Sequence, residues 1–126
     1  MNDDSTTANA TQALAFKILG EPASKANSRK MVSIGGLPRL IKSAKALSYA
    51  SAFKLQAKPA AKLLEGDVAV HIWIWYASRR PDLDESLILD LLQDVAYKND
   101  RQVKEKHIYW GLDPQNPRCE ILVEKK

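Results

Sequence analysis

Two polar runs in the second half of the chain carry the residues best suited to chemistry. Residues 79–85 hold Asp82 and Asp84 directly after an apolar, strand-like segment, and residues 98–102 hold Asp100 after a short helical pattern. In an extended backbone, side chains two positions apart point the same way, so Asp82 and Asp84 can face one point. The intervening helix can return Asp100 to the same place. Three carboxylates converging there would form the hard-oxygen site that Mg²⁺ or Mn²⁺ prefers.

The same residues also have an ordinary structural interpretation. An aspartate beside a proline is common turn chemistry, and Asp84 can simply cap the helix that follows. Glu85 adds a further carboxylate, either as a fourth metal ligand or as a base. Basic side chains flank both runs and indicate a polyanionic substrate; they are Arg79, Arg80, Lys98 and Arg101.

Length and composition limit the class of protein. The 126 residues suit one domain, and a hydrophobic content of 45% is enough for a core. No apolar run approaches the ~20 residues that cross a bilayer. Residues 1–11 are polar and lack the features of a signal peptide, which predicts a disordered tail before a single domain, 12–126, in a cytoplasmic protein. The single Cys119 has no partner for an intrachain disulfide and is expected to be a small core residue.

The charge is positive and unevenly distributed. The chain has 19 lysines and arginines against 15 acids, a net charge of +4 that favours an acidic partner without identifying one. A basic surface around an acidic pocket is what a metal-dependent nuclease needs, whereas the alternative is an ordinary solvated face. Lys25, Arg29 and Lys30 are candidates for phosphate contact. The basic residues crowding the first half are Lys25, Arg29, Lys30, Arg39, Lys42, Lys45, Lys54, Lys58 and Lys62.

Hydrophobic periodicity and turn signals predict an α+β fold. Gly35 and Gly36 supply the positive φ of a tight turn and are expected to join a hairpin. Ser43 is the expected N-cap of the first helix, whose apolar residues recur at helical spacing. The predicted elements are strands 13–19, 31–34, 37–41, 67–76, 102–110 and 118–123, and helices 43–58 and 85–95. They form a mixed α/β layer in which a small mixed sheet packs with two helices.

The strand at 67–76 is apolar on both faces. It is therefore expected to be central, and to be covered on both sides by this chain or on one side by another subunit. His71 is expected to be a buried histidine with a hydrogen-bond partner. Trp73 and Trp75 are expected to be core residues and not base-stacking platforms.

Four short motifs follow one another along the chain. Gly-x-Pro-x-x-Lys occupies residues 20–25, Asp-x-Asp occupies 82–84, and Leu-Asp-x-Leu occupies 89–92. An Asp-x-Gln-Val sequence preceded by asparagine occupies 99–103. In their order and intervals, these motifs resemble those of the RusA family of Holliday junction endonucleases, which are often prophage-encoded. The resemblance covers nearly the whole chain, from residue 16 to residue 123.

The resemblance implies a metal-dependent endodeoxyribonuclease that acts in DNA recombination and repair. Such a protein is a homodimer that binds four-way DNA junctions and nicks two strands symmetrically, with Mg²⁺ or Mn²⁺ as the cofactor. Asp82, Asp84 and Asp100 match the family's metal-binding catalytic aspartates.

The chain departs from the family pattern in three places. Glu85 replaces the usual asparagine after Asp-x-Asp, and Asn99 replaces the first aspartate of the later pair. The family also has an important lysine a few residues after Asp-x-Asp, whereas residues 85–96 contain none. A cation must then come from elsewhere. We favour Arg80 over Lys98, because a guanidinium holds two phosphoryl oxygens at once.

Two other classes of protein stay open at this stage. One is a DNA-binding module of the same fold that cuts slowly or not at all, because the lysine is missing. The other is a basic structural protein whose carboxylates only cap helices and pair with arginines. Junction binding with and without Mg²⁺ separates the first class from an active nuclease, and the second predicts no thermal shift with Ca²⁺ or Mn²⁺.

Overall fold

The computed structural model describes residues 12–24 and 29–126, so the predicted tail and Lys25 lie outside the described residues. Within the described part, the predicted α+β class, with a mixed sheet and two helices, is confirmed. The strands are β1 (Ala13–Leu19), β2 (Arg29–Ile34), β3 (Leu37–Lys42), β4 (Val68–Tyr76), β5 (Val103–Leu112) and β6 (Arg118–Lys125). The helices are α1 (Ala44–Gln56) and α2 (Ser86–Leu91), and Asp100–Gln102 form a 3₁₀ turn.

Four strands form the mixed sheet in the order β1-β6-β4-β5. β6 runs antiparallel to both of its neighbours, whereas β4 and β5 run parallel. A parallel pair needs a crossover, which α2 and the 3₁₀ turn supply here. Val68 pairs with Val103 and Tyr76 pairs with Leu112, so β4 and β5 start at the same end of the sheet. The end of β4 and the start of β5 lie at opposite ends of the sheet, and the crossover must run back along it.

One face of the sheet forms the core. The alternate residues of β4 from Val68 to Tyr76 are buried, as the period of two predicts. α1 begins at Ser43, whose side chain accepts a hydrogen bond from the Ala46 N–H at 3.2 Å, so the predicted N-cap is confirmed. The helix then buries Ala46, Tyr49, Ala50 and Phe53.

Cys119 lies in this core, as expected. Its Sγ is 3.3 Å from the buried Tyr49 hydroxyl. Burial raises the pKa of the Cys119 thiol to about 11, so the side chain stays protonated and is no nucleophile at neutral pH.

The opposite face of the sheet is less buried, and we call it the open face. Trp73 and Trp75 lie there half-buried and not in the core, because their side chains alternate with the buried positions of β4. His71 is also half-buried, and its Nε2 is 2.7 Å from the Glu124 carboxylate, so the expected partner is present. The register gives the members of the open face: Ala13, Ala15, Lys17 and Leu19; Ala69, His71, Trp73 and Trp75; Glu105, His107, Tyr109 and Gly111; and Arg118, Glu120, Leu122 and Glu124.

β2 and β3 form a separate two-stranded hairpin. Gly35 and Gly36 have φ of 61° and 78°, the two positive values that a two-residue type I′ turn requires. The predicted hairpin and its turn are therefore confirmed, with slightly longer strands.

Two predicted boundaries were wrong. α2 ends at Leu91 and not at residue 95, because the chain turns at Asp94, whose φ is 67° and whose N–H bonds the Tyr97 carbonyl at 2.7 Å. β5 continues through Gly111, where a turn was expected. The Trp75 indole packs so closely there that an added Cβ would meet it at 2.5 Å, so glycine serves packing. Among the described residues, no helix is both long enough and apolar enough to span a membrane.

Candidate active site

The loop at 77–85 is held by the tyrosine that ends β4. The Tyr76 ring is buried, and its hydroxyl donates to the Asp82 carbonyl at 3.1 Å and accepts from the Asp84 N–H at 3.2 Å. Burial raises the pKa of Tyr76, and the nearby charges of Asp84, Glu21 and Glu85 raise it further. The phenol therefore stays neutral and keeps both hydrogen bonds. The sequence predicted Tyr76 only as a strand residue.

The three acidic residues of this loop have different environments. Asp82 is exposed, and its carboxylate makes no hydrogen bond or ion pair within the described part of the chain. Asp84 Oδ1 accepts from the Ser86 N–H at 3.0 Å and from the Ser86 hydroxyl, which closes the turn into α2. The Glu85 side chain is 17% exposed and binds Lys106 Nζ at 2.5 Å. The loop is irregular, so Asp82 and Asp84 do not sit on the extended strand that the spacing suggested.

Asp100 starts the 3₁₀ turn that precedes β5. A capping box forms this turn: the Asn99 side chain accepts from the Arg101 N–H at 2.9 Å, and the Gln102 side chain accepts from the Asn99 N–H at 3.1 Å. Gln102 also donates to the carbonyls of Leu64 and Gly66, each at 2.9 Å. Asn99 therefore has a capping role at the position where the family pattern has an aspartate.

Asp100 and Lys106 line the same open cleft, together with Leu89 and the start of β5. Lys106 thus stands between Asp100 and Glu85, which it binds. Burial raises the pKa of the Tyr97 hydroxyl, and the charges of Asp100 and Asp90 raise it further. The sequence did not predict Lys106 as a site residue, because no motif marks it and only the strand register brings it here.

The predicted phosphate-binding residues occupy several positions. The Arg79 guanidinium lies 5.6 Å from the centre of the Trp110 ring. Arg80 lines a second cleft with Ser24, Lys45 and Pro81. Arg101, Arg29 and Lys30 are exposed. Lys98 is exposed and bound to Asp94 at 2.9 Å, which raises its pKa.

Glu21, which lies in the Gly-x-Pro motif, connects the first part of the chain to the 77–85 loop. Its carboxylate accepts from the Ala77 N–H at 2.8 Å and lies 3.9 Å from Lys45 Nζ. It was not among the predicted site residues, although its place in the motif was a signal. Its hydrogen bond fixes the point at which the 77–85 loop leaves β4.

The acidic residues of the site have the right chemistry for a divalent cation. Carboxylate oxygens are the ligands that Mg²⁺ and Mn²⁺ prefer, so the donor atoms of Asp82, Asp84, Asp100 and Glu85 fit such a cation. In the described residues, no three histidine, cysteine or acidic side chains are already gathered closely enough to hold one. The ligand assignment therefore stays a prediction.

Comparison with known proteins gives the family. Residues 20–124 match the family model described as "Endodeoxyribonuclease RusA", which is nearly the whole chain. No curated protein matches the chain. The matched region contains the 77–85 loop, the Asp100 turn and the Lys106 cleft. The chain therefore belongs to the RusA family of endodeoxyribonucleases, the Holliday junction resolvases.

Proposed function

We propose that this protein resolves four-way DNA junctions by paired, divalent-metal-dependent nicking, as a cytoplasmic homodimer. The family match supports a nuclease that acts on branched DNA in recombination. The observation that carries the finer proposal is the cleft in which Asp100 and the Glu85-bound Lys106 meet. It offers carboxylates for a cation and an ammonium for a phosphate beside one another.

Asp82, Asp84 and Asp100 would hold the cation, with Glu85 as a fourth ligand. When bound, it would supply an activated water and neutralise charge on the scissile phosphoryl group. The protein's own contribution is positioning. Tyr76 fixes the backbone of Asp82 and Asp84, and the capping box fixes Asp100.

The basic residues would bind the DNA backbone. Arg79 and Arg80 lie in the 77–85 loop just before its acidic residues, whereas Lys106 lies within the cleft of Asp100. Because it pairs with Glu85 and lines the cleft of Asp100, we assign Lys106 the role of the missing family lysine, in place of Arg80 or Lys98. Lys25, Arg29, Lys30 and Arg101 keep their proposed role as outer phosphate contacts.

The test is a cleavage assay on a synthetic four-way junction, with a linear duplex of the same arm sequence as control. Wild-type protein should nick the junction in paired positions with Mg²⁺ or Mn²⁺ and leave the duplex intact. Asp84→Asn and Asp100→Asn should each lower cleavage by at least ~10²-fold, since each removes a charged ligand. Junction binding should persist in both variants, because the basic surface is unchanged.

Asp67→Asn is the matched control, since it makes the same chemical change at an exposed position before β4 and should cut normally. Full activity in Asp84→Asn or Asp100→Asn would remove these residues from the site. A wild-type protein that binds junctions but never cuts them would favour the alternative, a junction-binding protein of the same fold.

A further inference from the structure

The β2–β3 hairpin is exposed on both of its faces. Of its strand residues only Val32 is half-buried, while Met31 is 65% and Leu37 is 60% exposed. A lone two-stranded hairpin is marginally stable in water. Exposed apolar side chains grouped in this way mark an interaction surface. The hairpin is therefore built to contact a partner.

The charges of the hairpin indicate what that partner is. Residues 29–42 include Arg29, Lys30, Arg39 and Lys42 and no acidic residue. None of these four forms an ion pair with any residue in the described ranges. Arg29 and Lys42 lie directly opposite each other, an arrangement of like charges that destabilises an isolated sheet. A polyanion would relieve this repulsion, which favours DNA over a second copy of this basic hairpin.

The tip of the hairpin is apolar and uncharged, whereas all four basic residues lie further from the turn. Ile34 and Leu37 form the last cross-strand pair, on either side of the two-glycine turn. Side chains of paired residues lie on the same face, so they form one apolar tip. Arg39 lies two residues back on that face, opposite Val32. The tip is thus apolar, and the stem behind it carries the four basic residues together with the exposed Met31, Leu40 and Ile41.

We propose that this hairpin recognises the branch point of the DNA, a role that rests on the proposed function and deepens it. The basic side chains of the stem bind phosphates on the arms. The tip formed by Ile34 and Leu37 packs against base faces exposed where the arms meet. In a linear duplex those faces are stacked on neighbours, so the tip would first have to unstack a base step. The hairpin therefore favours branched over linear DNA.

The test measures binding in EDTA, so that it does not depend on cleavage. The variant Ile34→Ser/Leu37→Ser removes the apolar tip and keeps every charge and both glycines. Its affinity for a four-way junction should fall about tenfold or more, since burial of two aliphatic side chains against base faces contributes on this scale. Its affinity for a linear duplex should not change. The fluorescence of a 2-aminopurine at the branch point should change on binding wild type and not on binding the variant.

Three further variants complete the comparison. Leu47→Ser/Leu55→Ser makes the same change at two exposed α1 positions and should bind both DNAs as wild type does. Ile34→Met/Leu37→Met keeps an apolar tip and should retain junction preference. Arg39→Gln/Lys42→Gln should weaken binding to both DNAs alike and reduce the log–log salt slope by about 0.9 for each phosphate that the variant no longer neutralises.

Several outcomes would overturn the proposal. These are an unchanged junction affinity in the serine variant, an equal loss on both DNAs, or a change in its molecular mass showing that the tip packs on a second copy. If wild type prefers and cuts junctions while the tip variant behaves normally, only the hairpin role fails. If wild type shows no preference for junctions, the proposed substrate fails and this role fails with it.

Discussion

Lys106 lines the cleft of Asp100 and pairs with Glu85 of the 77–85 loop. Its side chain is half exposed, so it can turn from Glu85 towards a bound phosphate without disturbing the core. Glu85 is far less exposed than Lys106. In the proposed mechanism, Lys106 holds the 77–85 loop through Glu85 when DNA is absent and offers its cation to a phosphate when DNA binds.

We expect Lys106→Met to slow cleavage of a saturating four-way junction by ~10²–10³-fold in single-turnover experiments, because it removes a cation beside developing negative charge. Junction affinity should change little by comparison. Lys98→Met is the matched control: Lys98 is exposed and paired with Asp94, so its replacement should leave the rate unchanged. Equal rates in the two variants would return the role to Arg80, which Arg80→Ala would then test.

Among the secondary-structure elements, the short 3₁₀ turn depends most on one side chain. Gln102 accepts from the backbone N–H groups of Lys98 and Asn99 and donates to two carbonyls of the 64–66 segment. It therefore joins the turn that carries Asp100 to a distant part of the chain. A three-residue turn has too few internal hydrogen bonds to hold this position alone.

Gln102→Ala should lower the free energy of unfolding by about 1–3 kcal/mol, since several partly buried polar groups would be left without partners. Urea denaturation followed by circular dichroism measures this. Cleavage should fall at a temperature where the variant is fully folded, because Asp100 is no longer fixed. Gln115→Ala, a change in the exposed turn before β6, should alter neither quantity. A Gln102 variant as stable and active as wild type would show that the 3₁₀ turn keeps its position without this side chain.

The elements set by local signals were those that the sequence predicted well. The Ser43 cap, the two-glycine hairpin turn and the alternation of β4 each rest on neighbours in the chain. The end of α2 rests instead on a positive φ at Asp94, a residue that is not glycine, and on its backbone hydrogen bond to Tyr97. The path of β5 through Gly111 rests on the distant Trp75. Neither interaction is marked by the hydrophobic periodicity or the turn signals of the sequence.

The same distinction applies to the candidate site. The spacing of Asp82, Asp84 and Asp100 was visible, but how closely the fold brings them depends on the crossover between the parallel strands β4 and β5, which no local pattern encodes. Lys106 and Gln102 act through partners about 20 or more residues away, so only the fold shows their roles. Of these two residues, only Gln102 had a sequence pattern that could have predicted its role, because it follows Asn99 at the spacing of a capping box.

At the scale of the whole molecule, the open face of the sheet is the surface best suited to contact a second subunit. The Trp73 and Tyr109 rings stack there with centroids 5.2 Å apart, and the His71 and His107 rings with centroids 4.8 Å apart. The Arg118 guanidinium lies 4.1 Å from the centre of the Trp75 ring. An aromatic centre with a charged rim has the composition of a subunit interface.

We therefore expect the proposed homodimer to form by packing the open faces of two copies together. A two-fold interface presents the same patch twice, so one changed residue acts at two points. Trp73→Glu should place a charge at the centre of that patch, and light scattering at micromolar concentration should then give the mass of the 14.1 kDa protomer in place of the dimer. Junction cleavage should no longer give paired nicks, since two linked active sites are no longer present.

A second variant separates loss of the dimer from loss of the fold. Leu122→Lys changes the half-buried neighbour of His71 on β6 and should also give a monomer, with the circular dichroism spectrum of wild type. Leu55→Glu, on the far side of the molecule in α1, should remain dimeric because its side chain is 85% exposed and lies outside the open face. A folded Trp73→Glu protein that keeps the dimer mass would place the subunit contact elsewhere. A wild-type protein that is monomeric at this concentration would remove the dimer itself, and the paired nicking proposed here would then require two independent encounters with the junction.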